Sequence, residues 1–216
     1  MISVIIPSYR NPAYLDLCLN SAIEGQDSGT NEIIVMLDGY GDESLPVLEK
    51  YKKKNVYVVN LEQNMGQTYV HNTGVALASH KNILIVNDDN VFPRNWDMKL
   101  GLYASELDTH VFSPNQIEPN PSIFPSFVIK DFGKTAVDFR LNEFLDYESR
   151  LTSSLGDKTN DGQTWPLFIK KKHYMALNGI DAGFPNPAVA DWDFFMRCEL
   201  MGLSCNRLLN VHFYHF

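Results

Sequence analysis

The sequence predicts an α/β fold: a mostly parallel sheet flanked by helices. Three observations predict it. Short apolar runs rich in β-branched residues recur at Ile2–Ile6, Glu32–Leu37, Val56–Val59 and Ile83–Val86. Ile2–Ile6 lacks polar alternation, as a strand buried on both faces does. Segments with helical period separate the runs, which implies right-handed crossovers between parallel strands.

Ile2–Ile6 ends at Pro7. Asn11-Pro12 then starts a helix, with Asn11 as N-cap and Pro12 in the first turn. Tyr14, Cys18 and Ala22 follow at four-residue spacing, with Leu15, Leu19 and Ile23 beside them. Glu32–Leu37 is the second strand, ended by Asp38-Gly39. Asp42–Lys54 fits a helix whose basic end, Lys52-Lys53-Lys54, suits the helix dipole and a solvated face. Val56–Val59 is the third strand. Gly66–Ser79 fits a helix interrupted by Gly74, and Ile83–Val86 is a strand closed by Asn87-Asp88-Asp89-Asn90.

The second half is less regular. Residues 113–128, rich in Pro and Phe, read as loops and short edge strands. Residues 146–165 are polar and read as a flap. Phe168–Leu177 reads as a strand running into a helix, Asp191–Leu203 as a helix, and Ser204–Tyr214 as one or two last strands.

Composition narrows the partners. The 216 residues carry 18 Lys+Arg against 26 Asp+Glu, a formal charge of −8. Such a chain is a poor match for nucleic acid or anionic lipid. Cys18, Cys198 and Cys205 have no metal-type spacing and leave an odd one out, which points to a reducing compartment. No stretch approaches the roughly 18–20 apolar residues of a membrane span, and the N-terminus reads as a strand rather than a signal peptide. A cytoplasmic location is expected, with peripheral membrane contact left open.

Ligands collect at the carboxyl ends of strands in such sheets. Three strand ends there carry distinctive residues: Pro7-Ser8-Tyr9, Asp38 and Asp88-Asp89. Each alone is also ordinary turn chemistry; their recurrence on one edge favours a site. Asp88-Asp89 are adjacent anions that a divalent ion on a diphosphate would compensate. In Asp191-Trp192-Asp193, helix capping competes with a general base. His212 and His215 fall on opposite faces of a straight strand, so at most one of them faces the site. No nucleophile elbow, phosphate-loop lysine or glycine fingerprint is present.

In four segments the chain resembles the family 2 glycosyltransferases with the GT-A fold. These are VIIPSYRNPAYLDLCLNSA, EIIVMLDG, LEQNMGQTYVHNTGVALASHKNILIVNDDNVFPRNW and ALNGIDAGFPNPAVADWDFFMRCELMG. The resemblance implies a single domain over 1–216, with a donor half at 1–105 and an acceptor half at 106–216. It implies that Pro7 and Tyr9 border a nucleotide base, that Asp38 accepts a hydrogen bond from base or ribose, and that Gly66 begins the helix beside the donor. Asp88 would contact ribose or sugar. Asp89 and His215 would bind manganese or magnesium, Asp191 would be the catalytic base and Asp193 a supporting residue. The chain departs from the family pattern at Leu37, where an acid is usual, at Asn87 in the D-x-D region, at His71 for Arg and at Ala190 for Glu. These changes leave the metal ligand and base intact and bear on donor identity.

The implied reaction is metal-dependent, inverting transfer from a nucleotide-diphosphate sugar, a UDP-sugar favoured, to a hydroxyl acceptor such as a glycan. A single displacement needs one base and no enzyme nucleophile. Hydrolysis would instead want two carboxyls flanking the bond. A nucleotidyltransferase would show a glycine- and basic-rich phosphate loop, but residues 7–12 hold no glycine and only Arg10. A sugar-binding module would bind donor without releasing nucleotide. Trp165, Phe124 and Phe127 could stack on an acceptor sugar, with packing in the interior as the alternative.

Overall fold

The computed structural model describes residues 1–39, 43–151, 156–184 and 187–216. The first half alternates as its periods require. It runs β1 (Ile2–Ser8), α1 (Pro12–Glu24), β2 (Glu32–Leu37), α2 (Leu45–Leu48), β3 (Val56–Asn60), α3 (Gln67–Leu77) and β4 (Asn82–Ile85). Then come β5 (Asn90–Val91), α4 (Trp96–Gly101), β6 (His110–Glu118), β7 (Val128–Ile129), α5 (Leu141–Glu148) and β8 (Lys158–Thr159). The chain closes with β9 (Leu167–Lys170), α6 (Lys171–Ala176), α7 (Pro187–Leu200) and β10 (Ser204–His215).

Among the described residues these strands form one sheet in the order β3-β2-β1-β4-β9-β6-β10-β5, with β7 beside β6 and β8 beside β10. β1 is parallel to β2 and β4, β2 to β3, and β6 to β10. β9 runs antiparallel between β4 and β6. Side chains alternate across the sheet. Val4 and Ile6 pack with Leu15, Leu19 and Trp96 on one face. Ile5 packs with Met36, Val75, Tyr174 and Phe194 on the other. Gly74 interrupts the helical pattern because α3 lies tight on β1: a Cβ there would stand 2.5 Å from Ile5 Cγ2.

The structure corrects several expectations. Residues 110–118 are not loop or edge strand but a buried strand, β6, between β9 and β10. Pro114 argues against a central strand because it lacks an N–H. β10, however, bulges between Leu208 and His212, beside Pro114, where the ladder is already broken. The helix expected over 42–54 is the short α2 followed by a 3-10 turn at Glu49–Tyr51, and residue 42 lies outside the described residues. The polar stretch 146–165 begins with the end of α5, unforeseen in the sequence, and includes β8 paired to β10; residues 152–155 lie outside the described residues. The last helix begins at Pro187, not Asp191, so Asp191 sits in the second turn and is not a cap. Asn11 makes no capping bond with its side chain.

Candidate active site

β1, β2 and β4 end at one edge. There Pro7, Tyr9, Asp38, Gly66 and Asp88 line a cleft of about 390 Å³ together with Asp89. Asp38 is buried, and its two oxygens accept the backbone N–H groups of Met65 (2.6 Å) and Gly66 (3.0 Å). It therefore ties the turn into α3, and only its remaining lone pairs are open to a ligand. Gly66 caps α3 at φ +87°, a conformation that favours glycine.

Asp88 is held by Ser8, one of the distinctive strand-end residues, and by Asn11, which the local sequence marks only as a helix cap. Ser8 Oγ donates to it at 2.6 Å and Asn11 Nδ2 at 3.1 Å. Asn11 thus spends its side chain on Asp88 rather than on capping α1. Its place in the turn PSYRNP was the available signal. Burial, reinforced by the charge of Asp89, pushes Asp88 up to about 6 against those hydrogen bonds.

Asp89 meets His215 because β5 pairs antiparallel with β10, which sets His215 beside Asn90. His215 Nε2 is 3.7 Å from Asp89 Oδ1, too far for a hydrogen bond, and that buried oxygen has no hydrogen-bond partner. His215 Nδ1 lies 2.9 Å from Glu118 Oε1, a contact the sequence reading did not find. Burial lowers the His215 pKa, but the Glu118 bond and the charges of Asp89 and Glu118 outweigh it and raise it. Burial raises Asp89, and His215 opposes this. The Glu118 contact turns Nε2 toward Asp89, as a carboxylate behind a metal-bound histidine does. An unpartnered carboxylate oxygen facing an imidazole nitrogen leaves a gap that a proton or a cation fills. Among the described residues no three His, Cys, Asp or Glu side chains form a ready-made cage. Magnesium and manganese commonly use one or two protein ligands plus substrate phosphates, so the donor set fits such an ion.

A second cavity of about 310 Å³ adjoins the first. It shares Asn87 with it and is lined by Asp191, Trp165, Trp192, Phe124 and His215. Burial pushes Asp191 up to about 6. The Trp165 indole favours its ionised form but lies outside hydrogen-bond geometry. Asp193 instead binds Arg197 Nε at 2.7 Å, and Arg197 Nη1 donates to Leu177 O at 2.7 Å, so Asp193 anchors the helix. His71 is buried against Trp165, with 5.1 Å between ring centroids, and burial pulls it down to about 4. It stands uncharged where the resemblance expects an arginine. His212 is away from this edge, buried near the Lys99–Glu148 pair, and burial brings it to about 4. Phe124 and Phe127 rest on the Arg207 guanidinium at 5.1 and 4.6 Å.

The fold, with strand-end carboxylates gathered at one edge, defines a protein of the GT-A glycosyltransferase type. Residues 3–171 match Glycosyl transferase family 2, and the chain belongs to that family. Asp191 and His215 lie beyond the matched residues. The uncharacterized glycosyltransferase YwdF of Bacillus subtilis is 29% identical over 198 residues, which cover 91% of this chain and 67% of that protein. A Campylobacter jejuni relative, GalNAc(5)-diNAcBac-PP-undecaprenol beta-1,3-glucosyltransferase, is 27% identical over 66% of this chain and 48% of its own length. The crystal structure of Staphylococcus aureus TarS 1–349 in complex with UDP superposes with a TM-score of 0.74 at 19% identity, covering 99% of this chain and 59% of TarS 1–349. The chain thus spans two thirds or less of the length of these proteins. Among the described residues no helix is long and apolar enough to cross a membrane. Cys18, Cys198 and Cys205 are buried and free.

Proposed function

We propose that this chain transfers a sugar, with inversion, from a nucleotide-diphosphate donor to a hydroxyl of a glycan acceptor. One observation carries the reading. The cleft holding Asp89 and the cavity holding Asp191 share Asn87 and meet at His215, 3.7 Å from Asp89. A donor diphosphate and an acceptor alcohol seated in the two would face each other.

Pro7 and Tyr9 border the base, Asp38 and Gly66 shape its turn, and Asp88 orients ribose or sugar through the Ser8 and Asn11 bonds. Manganese or magnesium, held by Asp89 and His215 with Glu118 behind the ring, would neutralise charge on the departing diphosphate. Asp191 takes the proton of the acceptor hydroxyl. The alcohol oxygen then bonds to the anomeric carbon from the face opposite the diphosphate, whose bond breaks with the electron pair on phosphate oxygen. Burial of Asp191 makes it a stronger base than an exposed carboxylate. Uridine is favoured as the base because TarS structures hold UDP and UDP-GlcNAc. A lipid-linked glycan is favoured as acceptor by the name of the Campylobacter relative. The donor and acceptor halves, 1–105 and 106–216, act as one domain, and three reduced cysteines suit a cytoplasmic location.

The test is a donor screen that reads nucleoside diphosphate release with and without manganese, across several glycan acceptors. Release from a UDP-sugar that needs both metal and acceptor supports the reading. Donor binding with no release from any pair overturns it in favour of a binding module.

A further inference from the structure

Two carboxylates, Asp191 and Glu118, line the acceptor cavity, and among the described residues no lysine or arginine does. The stretches outside the described residues, 40–42, 152–155 and 185–186, contain neither type in their sequence. His215 is on the wall, but its nitrogens face Glu118 at 2.9 Å and Asp89 at 3.7 Å.

A cation stands behind that wall and is sealed from it. Arg207 is 0% exposed. Phe124 and Phe127, which both line the cavity, cover its guanidinium with ring centroids at 5.1 and 4.6 Å. On its other sides Nη1 donates to Thr164 Oγ1 at 3.1 Å and Nη2 to Asp161 O at 2.7 Å, and Nε stands 3.5 Å from Asp161 Oδ2. Ser126 Oγ donates to that same carboxylate oxygen at 2.6 Å, which pins the segment carrying the two rings. A guanidinium within reach of a ligand is a fork for phosphate or carboxylate. Here the fork is turned inward and covered by apolar rings.

We propose that Phe124 and Phe127, by covering Arg207, set the acceptor cavity for an uncharged sugar unit and against one that bears a phosphate or carboxylate. The proposal rests on the glycosyl-transfer reading and adds to it the charge class of the acceptor. An anionic group in the cavity would lose its water and meet Asp191 and Glu118 instead of a counter-charge. The charge of an ion at Asp89 and His215 is consumed by the donor diphosphate. An uncharged ring meets no such penalty. Its hydroxyls donate to the carboxylates, and its apolar face lies on the aromatic wall.

The test offers three acceptors with one donor and manganese: a hexoside, its hexuronate, and the hexuronamide, which matches the hexuronate in shape without the charge. Nucleotide release at similar kcat/KM is expected from hexoside and hexuronamide, and roughly tenfold or more lower from the hexuronate. Phe124→Ala opens the cover over Arg207 and should narrow the hexuronamide-to-hexuronate ratio about threefold or more. Phe124→Leu keeps an apolar cover and should keep the ratio. Hexuronate used as well as hexuronamide overturns the proposal. Equal rejection of the two also overturns it, because shape then does the selecting. So does an unchanged ratio in a Phe124→Ala protein that melts as the wild type does. Saturation-transfer NMR with the same three sugars reads binding without turnover. If no donor releases nucleotide, the transfer reading fails, and preference for the uncharged pair in binding still decides the selection.

Discussion

Asp191→Asn keeps the shape of the side chain and removes its capacity to take a proton. A positioned general base is worth about 10²–10⁴-fold, or roughly 3–5 kcal/mol of barrier. Burial lifts this carboxyl from 3.8 to about 6. At pH 7 it is then roughly 90% ionised and at pH 5 roughly 10%. Wild-type turnover should fall close to tenfold between those values, and the variant should lose that limb along with its rate. Stability should move the other way. A carboxyl whose pKa is raised on folding binds its proton more tightly in the folded state. Its contribution is most favourable below the unfolded value near 4 and is lost as pH rises through about 6. After discounting for solvent access, the ionised group costs on the order of 1–2 kcal/mol at pH 7.5. The variant should therefore melt roughly 2–6 °C higher there and equally at pH 3.5. The assays are nucleotide release, calorimetric donor binding and thermal melts at both pH values. Turnover above a third of wild type, or a lower melting temperature at pH 7.5, would refute the reasoning.

Three further perturbations address other parts of the molecule. Asp89→Ala removes a buried, unpartnered oxygen and should weaken manganese-dependent donor binding at least about tenfold by calorimetry, without lowering the melting temperature. Lys99→Met leaves Glu148, paired at 2.6 Å and almost wholly buried, without its cation; a loss of about 3 kcal/mol in urea unfolding is expected. Gly74→Ala drives a methyl to 2.5 Å from Ile5 Cγ2, and the overpacking should cost about 1–3 kcal/mol although alanine is the better helix former.

The donor edge was largely legible because β1, β2 and β4 are continuous apolar runs whose ends are marked by Pro7, Asp38 and Asp88-Asp89. Local pattern sufficed there, since strands buried on both faces leave no other place for those residues. β6 was not legible. Pro114, Asn115 and Gln116 look like loop residues, and they become strand only because neighbours meet their polar groups. Asn115 Nδ2 donates to Ser126 O at 2.8 Å, Gln116 Nε2 donates to Trp165 O, and the bulge in β10 absorbs the proline. Asn11 was read from its local sequence as a cap, but a partner 77 residues away claims its side chain.

The sequence by itself determined the α/β class, the order of the first strands and the chemical types at their ends, because hydrophobic period and turn chemistry act over a few residues. Tertiary structure decided which carboxylate goes with which histidine, that Glu118 stands behind His215, and that Asp191 opens into a cavity next to Asp89. Those relations depend on the pairing of β5 with β10 and on where α7 crosses the sheet. Contacts between residues a hundred positions apart set them, and no local pattern encodes such contacts.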